Sequence, residues 1–162
     1  MIIHVKNKNT LIIDDFQLKC CVGKNGISSN KKEGDYFSPK GLFKLKKLYF
    51  RKDRVGTPKC NIRKKIITKN LAWCDDPKSA KYNQEIIFYN KKSKENFYRK
   101  GHEYDYLITI SHNNKKIPFE GSAIFIHLTK NYKPTAGCIA LKKKDFEILL
   151  KLINHKTKIK IG

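Results

Sequence analysis

The segment GSAIFIHLTKNYKPTAGCIAL, residues 121–141, sets a histidine at position 127 and a cysteine at position 138. A neutral thiol is a poor nucleophile near pH 7, so cysteine chemistry needs a neighbour that favours the thiolate, commonly an imidazole within hydrogen-bond reach. His127 and Cys138 are therefore the candidate base and nucleophile of an acyl-transfer centre. Gly137 lets the turn Thr135-Ala136-Gly137-Cys138 present backbone N–H groups, as an oxyanion requires. Gly137 and Thr135 are assigned to that role. The ordinary alternatives are a buried cysteine that packs as a small hydrophobe and a strand-end histidine bonded to backbone. Ser122 is a candidate donor to the histidine. His112, in the polar run SHNNKK, reads as a solvated loop residue, and His4, His102 and His155 as surface residues.

A strand must deliver His127. Ala123 to His127 (AIFIH), like Tyr106 to Ile110 (YLITI), is a compact β-branched and aromatic run of the kind found in buried strands. Ile2 to Val5 and Thr10 to Ile13 flank a polar turn and predict a hairpin. Phe16 to Val22 continues as a third strand, and residues 23–41, rich in Gly, Asn, Ser and Pro, as a shaped loop. Leu42 to Phe50 alternates apolar residues with lysine, as in a strand with one wet face. Residues 51–72 are basic and give no pattern, and AWCDDPKSAKYNQ, residues 72–84, reads as an ordered loop beside a site. Phe146, Leu149, Leu150 and Ile153 fall on one face of a helix from about Lys143 to Asn154, and a last strand runs from Lys158 to Ile161. The fold class is mostly β with a C-terminal helix, at the margin of α+β.

A chain of 162 residues fits one domain, 1–162. The net charge of +22 comes from 36 Lys and Arg against 14 Asp and Glu, with arginine only at 51, 54, 63 and 99. Such a field attracts polyanions, whether nucleic acid, anionic headgroups or an acidic wall polymer. Lysine, asparagine and isoleucine enrichment is also what an AT-rich genome produces. The five cysteines form no C-x-x-C pair, so neither a zinc site nor a disulfide framework is signalled. Cys20, Cys21, Cys60 and Cys74 read as packing residues. The opening residues lack the apolar core of an export signal, and no apolar run approaches the ~20 residues that span a bilayer. The expectation is a soluble monomer without a transmembrane segment.

The His127 strand and the Thr135-Ala136-Gly137-Cys138 turn resemble the catalytic signature of the L,D-transpeptidase family, the YkuD domain, where a strand ends on the catalytic histidine and a loop leads to Ser/Thr-His-Gly-Cys. The resemblance covers nearly the whole chain. Val22 to Ile27 (VGKNGI), Ser38 to Phe43 (SPKGLF), Trp73 to Pro77 (WCDDP) with Tyr82-Asn83, and Tyr104-Asp105 match motifs of one branch in the family's order. It implies a β-sandwich or barrel whose cleft holds the cysteine on its floor, and a thioester made from a peptidoglycan stem peptide, with no metal or cofactor. On it rest the substrate-binding assignments of Ser122, Asp75, Asp76, Tyr82 and Asp105; a carboxylate beside a diaminopimelate ammonium gains a charge-assisted hydrogen bond, and capping of a helix or turn is the alternative for the three aspartates. Ala136 and Ala140 stand where most members carry a histidine and an arginine or asparagine, which withdraws the usual side chains for substrate carboxylates.

The implied reaction is ping-pong acyl transfer with release of D-alanine. The thioester then passes to the amine of a second stem, giving a 3→3 cross-link, or to water, giving an L,D-carboxypeptidase. A basic polyanion-binding module without catalysis is the alternative. A nucleic-acid binder interleaves aromatics with arginine along a groove, whereas Tyr and Phe here alternate with apolar strand positions, so nucleic acid is not an expected partner. The lysine excess would instead hold the protein to an anionic wall polymer. The substrate class points to the periplasm or the cell wall, and the missing export signal leaves the cytoplasm as the alternative.

Overall fold

In the hairpin that opens the chain, Ile3, Val5, Leu11 and Ile13 are fully buried. A one-residue slip would turn all four to solvent, so the core fixes the register. The computed structural model describes residues 1–88 and 94–162. Its elements are β1 (Ile2–Val5), β2 (Thr10–Ile13), β3 (Phe16–Cys21), β4 (Gly26–Ser28), β5 (Phe37–Pro39), β6 (Gly41–Phe50), α1 (Lys52–Val55), β7 (Arg63–Ile66), β8 (Leu71–Trp73), β9 (Glu85–Ile87), β10 (Glu95–Asn96), β11 (Tyr106–Ile110), β12 (Phe125–Leu128), β13 (Ile139–Leu141), α2 (Lys143–Leu152) and β14 (Lys158–Ile161).

The main sheet runs β11-β12-β13-β3-β2-β1-β14-β6-β7. The long β6 pairs β14 along residues 41–44 and β11 along residues 45–50, which closes the sheet into a barrel-like ring. The architecture is mostly β with a C-terminal helix, as the sequence predicts. α2 lays Phe146, Leu149 and Leu150 on the barrel core, and the Phe146 ring stacks on Tyr106 at 5.5 Å. Among the described residues no helix is long and apolar enough to cross a membrane.

Three stretches differ from the sequence reading. Residues 51–72 hold α1, β7 and the start of β8. β7, Arg-Lys-Lys-Ile, lies at the sheet edge with its side chains largely exposed, so no buried face marks it, and its charges guard the open edge. The 23–41 loop contains the parallel pair β4 and β5. β12 begins at Phe125 and not at Ala123, because Ala123 adopts a left-handed φ of 52° that no strand continues through.

A second buried cluster lies beside the barrel core and is aromatic. Phe97 meets Tyr49, Phe125 and Tyr104 edge-on at 5.0, 5.5 and 6.1 Å, and Cys138 belongs to the same cluster. The arginines hold it in place. Arg51 donates to the Arg99 carbonyl at 2.9 Å, and Arg54 donates to the carbonyls of Gly101 and Lys100 at 2.7 and 3.0 Å. The forked donor set of a guanidinium spans several carbonyls as an ammonium does not. Residues 99–105, which carry Tyr104, are pinned by it.

Candidate active site

β12 delivers His127 between Leu107 of β11 and Ala140 of β13. Its Nδ1 lies 2.9 Å from the Leu128 carbonyl oxygen. A carbonyl only accepts, so Nδ1 carries the proton and Nε2 keeps a free lone pair. The Tyr104 ring meets the imidazole edge-on at 5.2 Å, and the Arg99 guanidinium covers Tyr104 at 4.0 Å. Burial chiefly holds the His127 pKa below its usual value; Arg99 adds to this and the Leu128 carbonyl opposes it. The ring is a neutral base at pH 7.

Cys138 sits at the end of a turn gripped from both sides. Thr135 Oγ1 donates to the Cys138 carbonyl at 2.6 Å and accepts the Gly137 N–H at 3.1 Å. Ser38 Oγ donates to the Gly137 carbonyl at 2.6 Å, and the Thr135 N–H donates to the Val22 carbonyl at 2.9 Å. Gly137 has φ 143°, and a Cβ there would lie 2.8 Å from the Phe37 carbonyl oxygen, so only glycine fits. The 22–27 and 38–43 motifs thus brace the Cys138 turn. The Gly137 N–H reaches an oxyanion only by leaving the Thr135 hydroxyl.

Among the described residues the thiol is not hydrogen-bonded to His127. It donates to the Ala123 carbonyl at 3.2 Å and accepts the Phe125 N–H at 3.3 Å. Burial pushes its pKa up to about 12, against the pull of the Phe125 N–H, so the resting sulfur is protonated.

Both residues line one cleft of about 420 Å³, together with Thr135, Ser122 and Asp75. Ser122 is 6% exposed, and its Oγ has no hydrogen-bond partner among the described residues. Of the 14 acidic residues in this basic chain, Glu33, Asp75, Glu95 and Glu103 line the cleft. Glu95 pairs with Arg99 and accepts the Tyr104 hydroxyl. Among the described residues Glu33, Asp75 and Glu103 form no ion pair. Burial raises the Asp75 pKa, helped by the Glu95 and Glu33 charges.

The other sequence candidates stand further off. Tyr82 is buried behind the cleft wall and donates to Glu33. Asp76 Oδ1 accepts the Lys78 N–H at 2.9 Å and shapes its own turn. Asp105 faces a different cavity of about 370 Å³, bonded to Arg54 at 2.9 Å and to His102 at 2.6 Å. Sequence reasoning assigned no role to Glu33, Glu95, Arg99, Tyr104 or Lys31, which also line the cleft. Arg99 carried a signal as one of four arginines in a lysine chain, and Tyr104 as part of the Tyr104-Asp105 motif. Among the described residues no group of three His, Cys, Asp or Glu side chains could hold a metal ion.

No curated protein and no solved structure matches the chain. The family model of the L,D-transpeptidase catalytic domain, YkuD, matches residues 2–161. With the match running over essentially the whole barrel and through the His127 strand and the Cys138 turn, the chain belongs to the L,D-transpeptidase (YkuD) family.

Proposed function

We propose that the chain is a cysteine acyltransferase acting on peptidoglycan stem peptides. The observation that carries this reading is a base and a thiol lining one cleft, with the base's Nε2 left free by the Nδ1 bond to Leu128, in a chain whose family is a transpeptidase family. In the first step the Cys138 proton passes to His127 Nε2. Sγ bonds to the carbonyl carbon of the L-to-D amide, and as that C–N bond breaks the imidazolium returns the proton to the departing D-alanine amine. In the second step an amine attacks the thioester, gives its proton to His127, and frees the thiol. The carboxylates of Asp75, Glu33 and Glu103, which form no ion pair among the described residues, favour an amine acceptor over water, because they attract an ammonium-bearing stem into the cleft. Ser122 offers a buried hydroxyl to the bound peptide. Asp75 is the direct contact to a substrate ammonium, Tyr82 acts through Glu33, and Asp76 and Asp105 brace their loops. Gly137 and Thr135 shape the oxyanion turn.

On this reading the protein works at the wall or in the periplasm; it acts as a monomer held to anionic polymer by its lysines, an attachment that weakens as salt rises. Intact-mass analysis after incubation with a disaccharide-tetrapeptide tests the reading, beside Cys138→Ala. A thioester adduct and released D-alanine that both vanish in the variant support it, and the ratio of cross-linked dimer to tripeptide reports the acceptor. Equal turnover in both proteins overturns it.

A further inference from the structure

Asn83 stands behind the thiol in a left-handed conformation, φ 53°. Its amide can be oriented only one way. Oδ1 accepts from the Trp73 indole N–H at 2.8 Å and the Ala123 backbone N–H at 3.2 Å, which only donate. Nδ2 donates to the carbonyls of His112 at 3.2 Å and Asn113 at 3.0 Å, which only accept. Ala123 is itself left-handed, φ 52°. A residue with a Cβ keeps that conformation only where its surroundings over-determine it. Asn83 supplies that constraint from one side, and the result is an Ala123 carbonyl aimed at Cys138 Sγ, 3.2 Å away.

We propose that Asn83 is a positioning residue. By gripping the Ala123 N–H it keeps the Ala123 carbonyl on the Cys138 thiol, so the free enzyme holds its nucleophile protonated and turned from His127 until a bound substrate swings the S–H toward Nε2. The proposal rests on Cys138 being the nucleophile. A carbonyl oxygen facing a thiolate sets partial negative charge against negative charge, so the Ala123 bond favours the thiol. The Phe125 N–H favours the thiolate and stays with the sulfur in either state. The other groups that face the sulfur are the Tyr104 hydroxyl, Lys31, Arg99 and Glu95, with His127 across the cleft. None of them is hydrogen-bonded to it among the described residues. No bond is made or broken in the latch itself. The proton stays on sulfur at rest and moves to Nε2 when the S–H turns.

Asn83→Gly tests this, because it keeps the left-handed freedom of the backbone while removing all four side-chain bonds. Iodoacetamide alkylation of Cys138, followed by peptide mapping across a pH series, is expected to shift to lower pH, with the rate at pH 8 rising about fivefold, the scale of one lost hydrogen bond to the thiol form. Acyl-enzyme formation with a disaccharide-tetrapeptide is expected to fall about tenfold, because the sulfur is no longer aimed. An alkylation profile for Asn83→Gly that overlays the wild type overturns the proposal, as does a parallel fall of both rates. Should Asn83→Gly fail to fold, the infrared S–H band that Cys138→Ala removes from the wild-type spectrum decides the matter. A band lowered as in a hydrogen-bonded thiol supports the latch, and one at the free-thiol position overturns it. Alkylation needs no acyl transfer, so failure of the proposed function would leave this test standing.

Discussion

The barrel core and the aromatic cluster each bury a cysteine, and the two thiols have different fates. Cys20, 1% exposed among aliphatic residues, and Cys138, 8% exposed among aromatic ones, are both pushed up to about 12 chiefly by burial. What separates them is a carbonyl and an N–H on the Cys138 sulfur and an imidazole, His127, lining the same cleft. On the function proposed above, polar partners and a base make Cys138 the nucleophile, where burial alone leaves Cys20 inert. The sharpest way to break this comparison is to truncate each sulfur. Cys138→Ala is expected to lower stem-peptide turnover by at least about 10⁴-fold, while Cys20→Ala keeps turnover and loses about 1 kcal/mol of stability. Steady-state D-alanine release and urea unfolding read the two effects, and comparable turnover losses would end the distinction.

The same contrast holds for the packing around each sulfur. Phe146 is fully buried on the barrel core, and Phe146→Ala removes a ring stacked on Tyr106. The expected cost is about 3–5 kcal/mol by urea unfolding, with little change in the rate per folded molecule. Phe97 is as deeply buried but is the hub on which Tyr49, Tyr104 and Phe125 converge. Phe97→Leu keeps most of the volume and is expected to cost about 1 kcal/mol. It is also expected to slow acylation about tenfold, because Tyr104 supports His127 and Phe125 holds the sulfur. If both variants lost stability and acylation in equal proportion, the aromatic cluster would be ordinary core.

This division also marks what could be read from the sequence. The barrel strands, α2 and the order of the motifs are legible, because their apolar residues repeat with the period of their element: Ile3 and Val5 in β1, and Phe146, Leu149 and Leu150 in α2. His127 and Cys138 are legible as residue types in a short segment. The rest of the cleft is not, since Glu33, Asp75 and Tyr104 come from separate loops and Glu95 from β10, segments that only the folded chain brings together. The latch is the least legible part. It depends on the left-handed backbone of Asn83 and Ala123 and on a thiol hydrogen bond to a carbonyl, and backbone groups leave no trace in residue identity.

Acid and alkali test the imidazole and the buried thiols in opposite directions. His127 has its pKa held below the usual 6.5 by burial, so the folded state binds fewer protons than the unfolded chain below that pH. Its contribution to stability is present above pH 6.5 and is lost as pH falls through the lowered value. Acylation is expected to fail over the same acid limb, with a midpoint below 6.5. The thiols run the other way. Their pKa values are raised from 9.0 to about 12, so the stability they contribute is present below pH 9 and is lost as pH rises toward 12. Urea midpoints across pH should therefore show an acid limb that His127→Gln flattens. They should also show an alkaline limb that Cys20→Ala and Cys138→Ala each flatten in part. An alkaline limb unmoved by Cys20→Ala would mean that burial in the barrel core does not suppress its ionisation.

The smallest effect is the most specific to the region around the sulfur. Replacing alanine by glycine in an ordinary element costs roughly 0.5–1 kcal/mol, because the unfolded chain gains freedom. At Ala123 the folded backbone already carries the left-handed cost of a Cβ, about 1 kcal/mol, which glycine removes. Ala123→Gly should thus leave the thermal midpoint within a degree or two of wild type, since the two terms nearly cancel. Ala72→Gly, at a fully buried site in β8, should lower it by several degrees. Equal losses at the two positions would show that Ala123 stores no strain, and the carbonyl that meets Cys138 would then be held by the turn alone.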